Sequence, residues 1–154
     1  MLRRSSHVSA YFSPLDGSSN ANEALKAAID LAKDWHASLL LLHVTDINQF
    51  GGYARGLAYT EVIASMRENA TELMTRAKEL ATAAGVTVTT ANLEGAPKQQ
   101  ITDVANDAEN GIDLIVIGKS GTNAFSRLVV GSTTTYVVQH AHPNVFVIND
   151  IAED

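Results

Sequence analysis

Short apolar runs alternate with longer amphipathic stretches along almost the whole chain, and that alternation limits the possible folds more than any other feature. Val8 to Leu15 opens the series as a strand, with Val8, Ala10 and Phe12 on one face. Asp16-Gly17-Ser18-Ser19-Asn20 breaks it. An Asp-Gly pair can close a hairpin, but a helical pattern follows here. Ala24, Leu25, Ala28, Leu31, Ala32 and Trp35 recur at helical spacing, which puts Trp35 on the core side. Asn20, with Glu23 three residues on, predicts a capping-box start. Ser38 to Val44 is too short and too apolar for a surface helix and reads as a buried parallel strand.

Thr45 to Tyr59 is a long connection carrying Gly51, Gly52 and Gly56, of a length that often serves as a lid or mobile segment. Ile63, Met66, Ala70, Leu73, Ala77, Leu80 and Ala84 mark a second helix, stopped by Gly85. Val86 to Leu93 is rich in β-branched residues and reads as a strand; Gly95-Ala96-Pro97 ends it, with Pro97 suited to a first helical turn. Ile101, Val104, Ala105 and Ala108 form the stripe of a third helix. Asp113 to Gly118 is the clearest strand. The loop from Gly118 to Gly131 is expected to hold a short helical turn, Ser132 to Ala141 a fourth helix, and Pro143 to Ile148 the last strand.

Strand–helix alternation implies parallel strands joined by right-handed crossovers. The expected architecture is α/β: a doubly wound, five-stranded parallel sheet of order 3-2-1-4-5 with helices on both faces. At 154 residues the chain, 1–154, is expected to be a single domain, and its strand order is that of a mononucleotide-binding half. The absence of cysteine excludes a disulfide framework, a thiolate metal site and a cysteine nucleophile. The net charge of −6, from 11 basic and 17 acidic residues, repels nucleic-acid backbones. Met1-Leu2-Arg3-Arg4 has no apolar run behind it and makes a poor signal peptide. No apolar run exceeds the four residues of Leu39 to Leu42, far too few to cross a bilayer. A soluble, cytoplasmic protein is therefore expected.

In a sheet of this order, ligands bind where strands 1 and 4 diverge, outside their carboxyl ends. The loop after strand 4 reads Gly118-Lys119-Ser120-Gly121-Thr122-Asn123, and Gly131-Ser132-Thr133 opens the fourth helix. Glycines let backbone amides approach a phosphate, and a helix start offers unpaired N–H groups and a positive dipole end. From Leu114 to Asn149 there is no Asp or Glu, while Lys119 and Arg127 are present. A locally cationic loop in an acidic chain points to a small phosphorylated ligand. The competing reading is that these glycines shape turns and a helix start. Asp16, at the end of strand 1, suits ribose hydroxyls or, equally, a turn or helix cap. Pro14 is unusual in a central strand and could mark an adenine pocket where the strand end opens.

Other candidates carry less. His140 and His142 lack a neighbouring carboxylate or cysteine and read as helix-end histidines rather than metal ligands. His43 reads as a half-buried strand-end residue; His7 and His36 read as surface. Ser18 and Ser132 have no recognisable His–Asp relay, so no catalytic residue is assigned, and a Walker A loop is absent.

The spacing Gly118, two residues, Gly121, nine residues, Gly131-Ser132 resembles the ATP-binding pattern of the universal stress protein family. Pro14-x-Asp16-Gly17-Ser18, His43-Val44, Asp113 to Gly118 and Pro143-x-Val145-x-Val147 fit the same family, over roughly Val8 to Ile148. The resemblance implies ATP as ligand, optionally with Mg bridging its phosphates. It implies that Asp16 binds ribose and that Pro14, Val44 and Ile117 border adenine. It further implies that Gly118, Gly121, Gly131, Ser132 and Thr133 hold ribose and phosphates. Members often carry a small hydroxyl residue and then His or Arg after the first glycine; here Lys119-Ser120 displaces the charge by one position. The implied role is a stress-response switch, in which ATP orders the 45–59 loop for an unidentified regulatory partner. Two alternatives stand beside it: a slow ATPase or self-phosphorylating protein, and an interaction module with an empty crevice. Val145, Phe146, Val147 and Ile148 form an apolar last strand at a sheet edge, which predicts a homodimer.

Overall fold

A computed structural model of the chain describes residues 9–50, 57–119 and 130–149. In chain order they form β1 (Ala10–Pro14), α1 (Ser19–Asp34), β2 (Ser38–Thr45), α2 (Leu57–Ala83), β3 (Val88–Glu94), α3 (Pro97–Asn106), β4 (Ile112–Gly118), α4 (Ser132–His140) and β5 (Asn144–Ile148). The strands make one parallel sheet in the order β3-β2-β1-β4-β5, as the alternation predicts.

Side chains alternate across a strand, so each strand feeds two cores. Leu39 and Leu41 of β2 and Val116 of β4 join Ala24, Ala28 and Ala32 of α1 and Met74, Ala77 and Ala81 of α2 on one face. Phe12, Leu42, Ile115 and Ile117 meet Ile101 and Ala105 of α3 and Val137 of α4 on the other. The small residues of α1 let the helix lie close on the sheet. A Cβ added at Gly118 would stand 2.8 Å from the backbone carbonyl of Asn20, so this glycine is set by helix packing at the end of β4.

Several boundaries differ from expectation. Ser18, not Asn20, caps α1: its Oγ accepts the Ala21 amide at 3.1 Å, while Asn20 is buried. Trp35 is 70% exposed, because α1 ends at Asp34 and the residue falls past the buried stripe. The second helix starts earlier than expected: Leu57 to Tyr59 already belong to α2, and Ile47–Phe50 forms a 3-10 turn, so the predicted connection is shorter. Ala108 lies in a separate 3-10 turn, Ala108–Asn110, and not on α3. Pro97 occupies the first turn of α3 as predicted.

Two helices end in the same way with different residues. At the end of α2, Gly85 donates to Thr82 and Val86 to Ala81, with Gly85 at φ 83°. At the end of α1, His36 donates to Lys33 and Ala37 to Ala32, with His36 at φ 53°. Both are Schellman stops, which call for a left-handed residue and ordinarily use glycine.

Opposite, at the amino end of the sheet, the β1–β4 register slips between Ala10 and Tyr11. The Ala10 amide that the slip leaves over is taken by Asp113 Oδ2 at 3.0 Å. Burial, and secondarily the Asp113 carboxylate, push the Tyr11 phenol above its ordinary value.

Candidate functional site

At the carboxyl end of the sheet, β1 and β4 part. Their pairing is last seen at Phe12–Ile115, whereas β1 continues alongside β2 to Pro14–Leu42. Leu15 donates its amide to Leu42 at 2.7 Å, toward β2. Amides alternate along a strand, so the nitrogen of Pro14 faces β4 in the stretch where the two strands have separated. Proline is tolerated there because no ladder bond is required of it. The sequence reading of Pro14 as a marker of an opening strand end agrees with this geometry.

Pro14 is buried, Val44 half-buried and Ile117 buried. By the alternation that places Phe12, Leu42 and Ile115 in the second core, all three sit on the α3/α4 face of the sheet, at its carboxyl end. α4 begins over that same face. Its cap, Gly131, is extended and offers no side chain, and the first helical bond runs from Thr135 to the Gly131 carbonyl at 2.9 Å. The amides of Ser132, Thr133 and Thr134 therefore have no acceptor within the helix. There is no acidic residue in that first turn. Ser132 is exposed and Thr133 half-buried.

The start of α4 is held to β4 and β5 by three bonds. Lys119 donates its amide to Ile148 at 3.0 Å and accepts the Gly131 amide on its carbonyl at 2.8 Å. Thr134 Oγ1, buried, donates to the Gly118 carbonyl at 2.7 Å. Nothing in the spacing pointed to Thr134, since a hydroxyl aimed backwards across the loop is visible only after the chain has folded. Gly121 and Arg127, both expected in the site, lie outside the described residues, as does Ser120.

Across the crevice the chain leaves β1 through a tight turn. Asp16 is exposed, and its Oδ1 accepts the Ser18 amide at 2.9 Å. Gly17 stands at φ 80°, a conformation that side chains with a Cβ resist. Thus Asp16 does serve the turn, which was one of its two readings, and it remains at the mouth of the crevice. His43 reaches the residue before it: Nδ1 is 2.7 Å from the Leu15 carbonyl.

The outer rim, at the end of β3, is pinned by a two-pronged ion pair. Arg67 Nε lies 2.6 Å from Glu94 Oε1, and its Nη2 lies 3.2 Å from Oε2. This guanidinium holds the Glu94 carboxyl below the ordinary carboxylate range. Gly95 donates its amide to the buried end of β2 at Thr45, 3.0 Å away. Among the described residues no group of three or more His, Cys, Asp or Glu is placed to hold a metal ion. The His140 ring stacks on Tyr136 at 4.0 Å between centroids. Among the described residues, no helix is long and apolar enough to cross a membrane.

Residues 13–149 match the model of the universal stress protein family. A universal stress protein of Methanocaldococcus jannaschii is 32% identical over 135 residues, covering 88% of this chain and 78% of that protein. The solved structure of universal stress protein UspA from Lactobacillus plantarum superposes with a TM-score of 0.79 at 32% identity, covering 92% of this chain and 98% of that one. The universal stress protein from Archaeoglobus fulgidus, solved in complex with dAMP, has the same fold, with a TM-score of 0.65 at 21% identity over 92% of this chain and 98% of that one. Matched over nearly its full length in sequence and in fold, the chain belongs to the universal stress protein family.

Proposed function

We propose that this protein is a single nucleotide-binding domain that takes an adenine nucleotide, ATP in the first place, where β1 and β4 part. The observation that carries the reading is the meeting of three unlike features at one end of one sheet face. They are the acid-free, uncapped start of α4, the apolar trio Pro14, Val44 and Ile117, and the carboxylate of Asp16 across the gap. An uncapped helix start suits phosphate oxygens, an apolar trio suits a purine, and a carboxylate suits ribose hydroxyls. The dAMP complex of the Archaeoglobus fulgidus relative supports the same ligand class.

In this reading Gly131, Ser132 and Thr133 hold phosphates through amides and hydroxyls, with Gly118, Lys119, Gly121 and Arg127 completing the loop. Mg bridging the phosphates would add charge neutralisation without a dedicated protein cage. The role is that of a cytoplasmic stress-response switch: ATP biases the connection between β2 and α2, and a regulatory partner reads it. Native mass spectrometry of the purified chain, followed by calorimetric titration with ATP, tests it. A co-purified adenine nucleotide, or saturable heat with ATP, is expected. A chain that carries none and takes none up is an interaction module instead. If phosphate release is equal in the wild type and in a binding-blocked Gly131→Val variant, slow ATP hydrolysis is eliminated.

The second part of the proposal is a homodimer through β5. This edge presents Phe146 at 50% and Val147 at 37% exposure, while the opposite edge, β3, exposes Thr89, Thr90, Asn92 and Glu94. An apolar, unpaired strand favours pairing with a second copy.

A further inference from the structure

We propose that His43 is a positioning residue for the nucleotide site, holding Asp16 in place through the carbonyl of Leu15. This rests on the nucleotide reading above only for its effect on affinity.

Leu15 follows the last paired residue of β1 and is buried, and both of its peptide groups are engaged by β2. Its amide donates to the Leu42 carbonyl at 2.7 Å, a backbone bond of the usual parallel kind. Its carbonyl, 2.7 Å from His43 Nδ1, takes a side chain. A carbonyl oxygen only accepts, so Nδ1 carries the proton, which assigns the tautomer of a neutral ring. The same bond survives protonation of the ring, because both nitrogens then donate. The carbonyl held in this way belongs to the peptide unit that leads into Asp16. Asp16 Oδ1 takes the Ser18 amide at 2.9 Å, and Ser18 Oγ takes the Ala21 amide at 3.1 Å in the first turn of α1. His43, Leu15, Asp16 and Ser18 are thus one hydrogen-bonded series from the end of β2 to the start of α1. Exposed Asp16 takes its direction from two ties, its own bond to the Ser18 amide and the His43 bond to the carbonyl just before it.

The consequence is a coupling that a core histidine would not show. His43→Leu leaves the Leu15 carbonyl without its donor and frees the peptide ahead of Asp16. His43→Asn restores an N–H donor at the δ position, where Nδ1 stood. In calorimetric titrations of the full chain, His43→Leu should bind ATP on the order of 10-fold more weakly, and His43→Asn should recover most of that loss. In the Asp16→Ala background, His43→Leu should have no further effect, because the carboxylate it positions is gone. A folded His43→Leu variant that binds as the wild type does, or loses the same factor with and without Asp16, overturns the proposal. The Ser18 amide resonance, read by NMR without ligand, is the independent measurement: it should shift in His43→Leu and return in His43→Asn. If it does not move, the proposal is wrong. If it moves while the wild type takes up no ATP, the positioning stands and the nucleotide reading fails.

Discussion

Asp16 is partly engaged before any ligand arrives, since one carboxylate oxygen already serves the turn. Asp16→Ala should weaken ATP binding by about 1.5–3 kcal/mol, the usual worth of a hydrogen bond to a charged group, as calorimetry would show. His36 offers a cleaner stability test. It holds a left-handed conformation at φ 53° in a helix stop whose counterpart uses Gly85. His36→Gly should stabilise the chain by about 1 kcal/mol in urea denaturation, because the Cβ penalty disappears. Ser13 gives a third: its hydroxyl is buried without a hydrogen-bond partner among the described residues. Ser13→Ala removes that unmet group and should raise stability by up to about 1 kcal/mol, also read from denaturation. At this scale the sequence was partly legible. Pro14 and Asp16 declared themselves because proline and an Asp-Gly pair restrict the backbone directly. The tautomer of His43 and the backbone of His36 did not, since each depends on what the fold brings alongside.

Elements were more legible than their ends. Apolar spacing predicted each strand and helix, because burial on one face imposes period 2 or 3.6 on the sequence. The cap of α1 shifted from Asn20 to Ser18 because both residues have capping chemistry and only packing decides which is buried. Trp35 matched the helical period but falls at the C-cap, where the period no longer governs burial. Between elements, the Arg67–Glu94 pair joins α2 to the end of β3. Glu94 is held below its ordinary value in the fold, so its contribution to stability is complete above the unfolded-state value and is lost as pH falls through the folded one. Glu94→Gln should flatten that acid limb of a stability–pH profile and leave neutral pH little changed, because the pair is largely exposed. The two edge strands differ in kind, and Phe146→Lys should shift the population toward monomer in light scattering.

For the whole molecule, parallel topology followed from alternation alone, and strand order placed the crevice between the first and fourth strands before any coordinates were needed. The candidate site was legible to the extent that it is built from helix starts and strand ends, which have fixed places in such a sheet. Bonds that cross the loop, such as Thr134 to Gly118, required the fold. If ATP is the ligand, a concentration 100 times its dissociation constant adds about 2.7 kcal/mol to the folded state. A chain of this size should then melt roughly 5–10 °C higher in a thermal scan.

The unlike margins of the sheet decide how far assembly can go. A fibril that grows strand by strand needs an adhesive border on each side of every subunit. Here one border is greasy and the other is threonine, asparagine and glutamate. If two copies join along their greasy margins, as proposed, only hydrophilic borders face outward, and edge-wise addition terminates itself.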